Sequence, residues 1–265
     1  MNTFVLKVIA LIFMTIDHMG AIFGLPFFFR VIGRVSFPIF AFCVGIGLIH
    51  TKDIKKYILR MSLFSIITIA PFSMYFHFAN YYSSTIVLIS NHLSVMFTFL
   101  ASAICVFIYE KTFLGTNEKY AYGGGFVKKL LGSVLIFLTL LLCEPGMLLS
   151  GFLINTGLVE SLDSIISTDY GFLGALLPFL IYLAKTKNKQ MAIILLTTCL
   201  IYFPINTNSG SLSINPVDIL LIAAANVSLF FIYFYNNKRG TGPKYLFYIY
   251  YPLHLLVFSL IYIFI

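Results

Sequence analysis

Two residues in the first apolar run of the chain, Asp17 and His18, and two at the start of the second, Arg30 and Arg34, carry most of the chemistry on offer. A histidine beside a carboxylate can act as a general base near neutral pH, and guanidinium groups can hold a developing oxyanion or an anionic ligand. Together they outline an acyl-transfer site. Arg30 and Arg34 are four residues apart, so one helical face presents both. Neighbours on a helix point about 100° apart, because a turn takes 3.6 residues. A structural ion pair of Asp17 with Arg30 or Arg34, and His18 as a hydrogen bonder between helices, therefore stand beside the catalytic reading. His92 within Ser90-Asn91-His92-Leu93-Ser94 reads as polar glue between helices. Glu144, followed by Pro145-Gly146, reads as the mark of a helix break rather than as an acid catalyst. None of the five histidines has ligand spacing with a nearby carboxylate, so no metal is expected.

The elements that position these groups follow from composition. Of 265 residues, 60% are hydrophobic and 10% charged, and the mean hydropathy is +0.98. So few charges cannot clothe a water-facing globule, for which usage near ~25% is ordinary. Apolar stretches of helical length recur, whereas a membrane barrel would alternate apolar and polar residues in ~10-residue segments. The expected fold is an all-α polytopic membrane protein, one domain over 1–265, with about nine transmembrane helices near 4–23, 31–50, 57–78, 86–109, 130–149, 170–184, 190–206, 216–235 and 245–265. A short helix between Gly157 and Ile166 is expected to lie over one face.

Charge distribution orients this bundle. Fourteen of the seventeen basic residues fall in alternate connections: Lys52, Lys55, Lys56 and Arg60; Lys111, Lys119, Lys128 and Lys129; Lys185, Lys187 and Lys189; Lys238, Arg239 and Lys244. The positive-inside rule assigns those connections and the N-terminus to the cytoplasm. The net charge of +8 thus reports topology, not nucleic acid. Residue 17 lies roughly 20 Å along a helix that begins at residue 4, at ~1.5 Å per residue, so Asp17 and His18 enter the outer half of the membrane, where Arg30 and Arg34 also lie. Such groups also mark proton relays, so a proton-coupled transporter or flippase of a small anionic or lipid-linked substrate is the competing reading. It expects broken helices in matching halves, and the sequence has no internal repeat.

An ordered series of motifs adds a family. The first run contains Ile16-Asp17-His18-Met19-Gly20-Ala21-Ile22, the second Arg30-Val31-Ile32-Gly33-Arg34 and Phe37-Pro38-Ile39-Phe40. Further along come Val95-Met96-Phe97-Thr98, Asp169-Tyr170-Gly171-Phe172-Leu173-Gly174, Tyr235-Asn236-Asn237-Lys238-Arg239-Gly240 and Phe247-Tyr248-Ile249-Tyr250-Tyr251-Pro252-Leu253-His254. Together these resemble the TraX family over almost the whole chain.

The resemblance implies a polytopic inner-membrane acetyltransferase of bacteria, related to the acyltransferase-3 group, with acetyl-CoA as donor and a pilin-like peptide N-terminus or a cell-envelope glycan as acceptor. On that footing His18, tuned by Asp17, is the expected base, and Arg30 or Arg34 the oxyanion partner. His254 is expected to assist or to shape the cavity. Lys238, Arg239 and Lys244 are expected to hold the CoA phosphates, although lysines in cytoplasmic loops also satisfy topology alone.

Overall fold

A computed structural model of the chain describes residues 1–79, 92–114, 125–144, 167–203, 215–243 and 245–265. The short helix expected between Gly157 and Ile166 and the cation Lys244 lie outside the described residues. In chain order the elements are α1 (Thr3–Ile22), α2 (Phe28–Gly33), α3 (Ser36–Ile49), α4 (Ile54–Phe78), β1 (His92–Leu93), α5 (Val95–Tyr109), α6 (Phe126–Leu141), β2 (Ser167–Thr168), α7 (Gly171–Leu183), α8 (Lys187–Tyr202), α9 (Pro216–Asn226), α10 (Ser228–Tyr233) and α11 (Leu246–Phe264).

Six helical stretches among the described residues are long and apolar enough to cross a membrane: Thr3–Ile22, Phe28–Ile49, Ile54–Phe78, Val95–Leu114, Pro216–Tyr233 and Leu246–Phe264. The chain is an all-α, multi-pass membrane protein. The other three of the nine expected segments coincide with α6, α7 and α8, of 16, 13 and 16 residues.

Local chemistry sets the helix boundaries. Asn2 caps α1 through a bond from the Val5 N–H to its side chain, 2.9 Å. Asn215 and Asp218 form a reciprocal capping box at α9, with Pro216 in the first turn. The second span is broken at Arg34-Val35, between α2 and α3. Pro38 accounts for the break: it has no N–H for the carbonyl of Arg34, and its ring crowds that carbonyl. Pro38 therefore sits in the first turn of α3, not within a continuous helix.

Asp53 caps α4, accepting from the Lys56 N–H at 3.1 Å and pairing with the Lys56 ammonium at 3.3 Å. The backbone bond, then the ammonium, holds its carboxyl below the usual carboxylate range. A depressed carboxyl contributes above the unfolded value of about 3.9 and loses that contribution as pH falls through the folded value. Hydrogen exchange at Lys55, Lys56 and Tyr57 is thus expected to lose protection as pH drops below about 4. Asp53→Asn should abolish that pH dependence, and unchanged protection across the range would contradict the cap.

The chain groups into two compact units: Met1–Val44 with Ala70–Ile89 and Ala184–Ile265, and Gly45–Ile69 with Ser90–Leu183. In the first, α1 packs on α2 and α11, and α8 on α9. The buried stripe of α1 runs Leu6, Ala10, Met14 and Asp17, so the carboxylate continues the apolar face one turn further. In the second, α5 packs on α6 and α7. Ala101, Ala103, Cys105 and Ala175 keep those helices close, and the Ser102 hydroxyl donates across to the Ala175 carbonyl at 2.6 Å.

Candidate active site

The polar cluster belongs to the first unit and is built from α1, α2, the C-terminal part of α4 and α11. Asp17 receives Arg30 of α2 and Arg34 at the C-cap of that helix: Arg30 Nη1 lies 3.1 Å from Oδ2, and Arg34 Nη2 3.2 Å from Oδ1. Arg30 also donates to the Asp17 carbonyl, and Arg34 Nε to the Arg30 carbonyl. The cluster is nearly buried, with side-chain exposures of 12% for Asp17, 16% for Arg34 and 23% for Arg30, so the ion pairs act in a low dielectric rather than as screened surface contacts. Arg34 also lies over the ring of Tyr202, 5.9 Å from its centroid.

Gly33 makes this approach possible. A Cβ built there would sit 2.1 Å from the Asp17 Cβ, and one on Gly20 would sit 2.7 Å from the Phe29 Cβ. Small residues thus let α1 and α2 meet backbone to backbone. Gly33→Ala is expected to force the helices apart and to cost about 1–3 kcal/mol as overpacking does. A thermal melt of the purified variant checks this, and wild-type stability would mean that α2 moves freely.

His18 faces a different partner. Its Nδ1 lies 2.7 Å from Nε2 of His254, with the rings 7° from parallel. His254 Nδ1 in turn lies 2.9 Å from the Tyr250 carbonyl, one helical turn back. A carbonyl only accepts, so His254 carries its proton on Nδ1 and, when neutral, presents a lone pair at Nε2. That lone pair takes the Nδ1–H of His18. The network therefore places the lone pair of neutral His18 on Nε2, which no other hydrogen bond reaches among the described residues. The expected tuning of His18 by Asp17 is corrected: the carboxylate is turned to the arginines, and the orienting group is His254. The 100° between neighbours on α1 sends the two side chains to opposite partners.

Aromatic residues fix the pair. The Tyr250 ring stacks on His254 at 5.1 Å. Tyr75 of α4 packs on His18 at 5.0 Å and donates to its carbonyl at 3.2 Å. Thr15 donates to the Leu11 carbonyl, so the Tyr250 hydroxyl is the donor in its 2.7 Å bond to Thr15, tying α11 to α1. Sequence reasoning missed Thr15, Tyr75 and Tyr250. The available signals were the spacing of Tyr250, four before His254, and of Thr15, three before His18.

The family model of the TraX protein matches residues 3–262. The chain belongs to the TraX family. No curated protein and no solved structure gives a significant match. The TraX motifs quoted above coincide with this geometry: Ile16 to Ile22 carries Asp17, His18 and Gly20, and Arg30 to Arg34 carries both arginines around Gly33.

The motif Tyr235 to Gly240 has a structural reason of its own. The Thr3 and Phe4 N–H groups donate to the carbonyls of Lys238 and Arg239, so this loop lies along the start of α1. Asn237 and Gly240 take positive φ of 58° and 77°, and a Cβ on Gly240 would meet Asn2 at 2.5 Å. Lys238 and Arg239 are exposed on this loop. They are not part of the histidine site, which is fifteen residues further along α1, about 22 Å away at ~1.5 Å per residue.

In the second unit, His92 Nδ1 lies 2.7 Å from Ser167 Oγ and its Nε2 3.8 Å from Asp169. With the short parallel pairing of β1 and β2, this ties the start of α5 to the start of α7. Glu144 accepts from the Phe172 N–H at 3.2 Å, capping α7. These placements match the readings of His92 as glue and Glu144 as a boundary residue. Among the described residues no group of His, Cys, Asp and Glu could hold a metal.

Proposed function

We propose that the protein is a membrane acetyltransferase of the inner membrane of bacteria, moving an acetyl group from cytoplasmic acetyl-CoA to an acceptor on the outer side. The preferred acceptor is the N-terminal amine of a pilin-like peptide. The observation that carries the reading is the Tyr250 carbonyl, His254, His18 relay, which turns a basic Nε2 away from its orienting partner, the arrangement a general base needs. Family membership supplies the reaction class. The alternating loop charge supplies the orientation, with nine crossings and the N-terminus inside.

In this reading the acceptor amine attacks the thioester carbonyl as His18 Nε2 takes its proton. Arg30 and Arg34, two guanidiniums about one carboxylate, stabilise the oxyanion while Asp17 fixes their position. The C–S bond then breaks, the thiolate receives the proton from His18, and the products are the N-acetylated acceptor and CoA thiol. Lys238, Arg239 and Lys244 hold the CoA phosphates.

The test is release of CoA thiol from acetyl-CoA by purified protein in nanodiscs, with and without a peptide bearing a free N-terminal amine. Thiol release that the peptide accelerates, with acetyl recovered on its amine, is the expected result. Absence of turnover with every amine and hydroxyl acceptor supplied would overturn the reading.

A further inference from the structure

The second unit holds a polar group separate from the histidine pair. β1 and β2 pair in parallel, with His92 opposite Ser167 and Leu93 opposite Thr168, and the Asp169 N–H donates to the Leu93 carbonyl at 2.8 Å. Ser167 and Asp169 are two residues apart on this extended segment, so both side chains fall on one face. His92 meets both, with Nδ1 2.7 Å from the Ser167 hydroxyl and Nε2 3.8 Å from the Asp169 carboxylate. A carboxylate beside Nε2 favours the ring proton there, which leaves the Nδ1 lone pair to accept the Ser167 O–H. The contacts that tie α5 to α7 thus also set a hydroxyl, an imidazole and a carboxylate in the order nucleophile, base and orienter. All three residues are partly exposed, so a substrate can reach them.

The start of α5 supplies hydrogen-bond donors beside this trio. Ser94 precedes the helix without capping it, and its hydroxyl, on a residue 2% exposed, has no hydrogen-bond partner among the described residues. The N–H groups of Val95 and Met96, in the first turn, likewise donate to no described atom. Glu144 caps α7, so the unsatisfied donors belong to α5. The Thr98 hydroxyl donates to the Asp169 carbonyl, which holds that segment against the first turn of α5.

We propose that Ser167 is the nucleophile of a second site, which hydrolyses carboxylic esters independently of the histidine pair. Ser167 Oγ attacks the ester carbonyl as His92 Nδ1 takes its proton, and Asp169 faces the imidazolium that forms. The donors at the start of α5 receive the oxyanion. The C–O bond to the alcohol then breaks, and the alcohol leaves with the proton from His92. Water attacks the acyl-serine, gives a proton to His92 and releases the carboxylic acid as that proton returns to Ser167 Oγ. An ester suits this trio because its leaving group needs only the one proton that His92 has just taken.

The test uses wild-type protein in nanodiscs with a serine-directed fluorophosphonate, the adduct being located by peptide mass spectrometry. Covalent labelling of Ser167 is expected, at a rate that rises with pH as the imidazole turns neutral. With p-nitrophenyl acetate followed by an acid quench, acetyl should be trapped on the same hydroxyl. His92→Gln keeps a hydrogen bond to Ser167 but has no base, so labelling should slow by about 100-fold or more while the melting temperature stays near that of wild type. No adduct on Ser167, a rate independent of pH, or labelling of His92→Gln as fast as wild type would overturn the site and leave His92 as a tie between α5 and α7. Because the adduct is mapped to one residue, the outcome does not depend on whether the histidine pair of the first unit transfers acetyl groups.

Discussion

His18→Ala is expected to lower acetyl transfer by about 10²- to 10⁴-fold, the range a positioned general base contributes, while the protein stays folded. The fold survives because the substitution removes a donor from His254 and leaves only a lone pair unpartnered, a small penalty beside that of a buried charge. His254→Ala separates base from orienter: His18 remains, but nothing holds its proton on Nδ1, so kcat should fall while KM for acetyl-CoA changes little. His254→Gln should restore part of the loss, because its amide oxygen can accept the same N–H. Wild-type kcat in His18→Ala would remove the residue from the chemistry. Equal losses in His254→Gln and His254→Ala, with a lowered melting temperature in both, would reduce His254 to packing.

The largest stability effect is expected at Asp17. Removing one partner of a buried ion pair costs about 3–5 kcal/mol, whereas replacing the whole cluster with apolar residues is often near neutral. Asp17→Ala strands two nearly buried guanidiniums, so a large fall in thermal stability should follow, with activity lost alongside. The triple variant with Leu at positions 17, 30 and 34 should regain most of that stability. Its activity decides what the arginines do: a stable triple variant without transfer assigns them to the reaction, and one that still transfers confines the cluster to joining α1 and α2. A single Asp17→Ala as stable as wild type would contradict the buried pair.

Several features were settled by the sequence alone. Scarcity of charge over 265 residues requires a lipid solvent, and apolar runs of spanning length require helices, since backbone groups in lipid must be satisfied within their own segment. Asp17, His18, Arg30, Arg34 and His254 stood out because ionisable groups are costly in such runs. The four-residue spacing of Arg30 and Arg34 already put them on one face, and the glue reading of His92 needed only its polar neighbours.

Tertiary structure decided the pairings. Adjacency in sequence suggested that Asp17 serves His18, yet helical geometry sends them apart, and only the packing of both α2 and α11 on α1 shows that one meets the arginines and the other His254. His254 lies 236 residues from His18, a separation that no local pattern bridges. Gly33 is unremarkable in a string of letters and becomes necessary only where Asp17 crosses it. Spacing along one helix is fixed by its covalent geometry and can be read from sequence, whereas contacts between helices depend on how several faces pack at once.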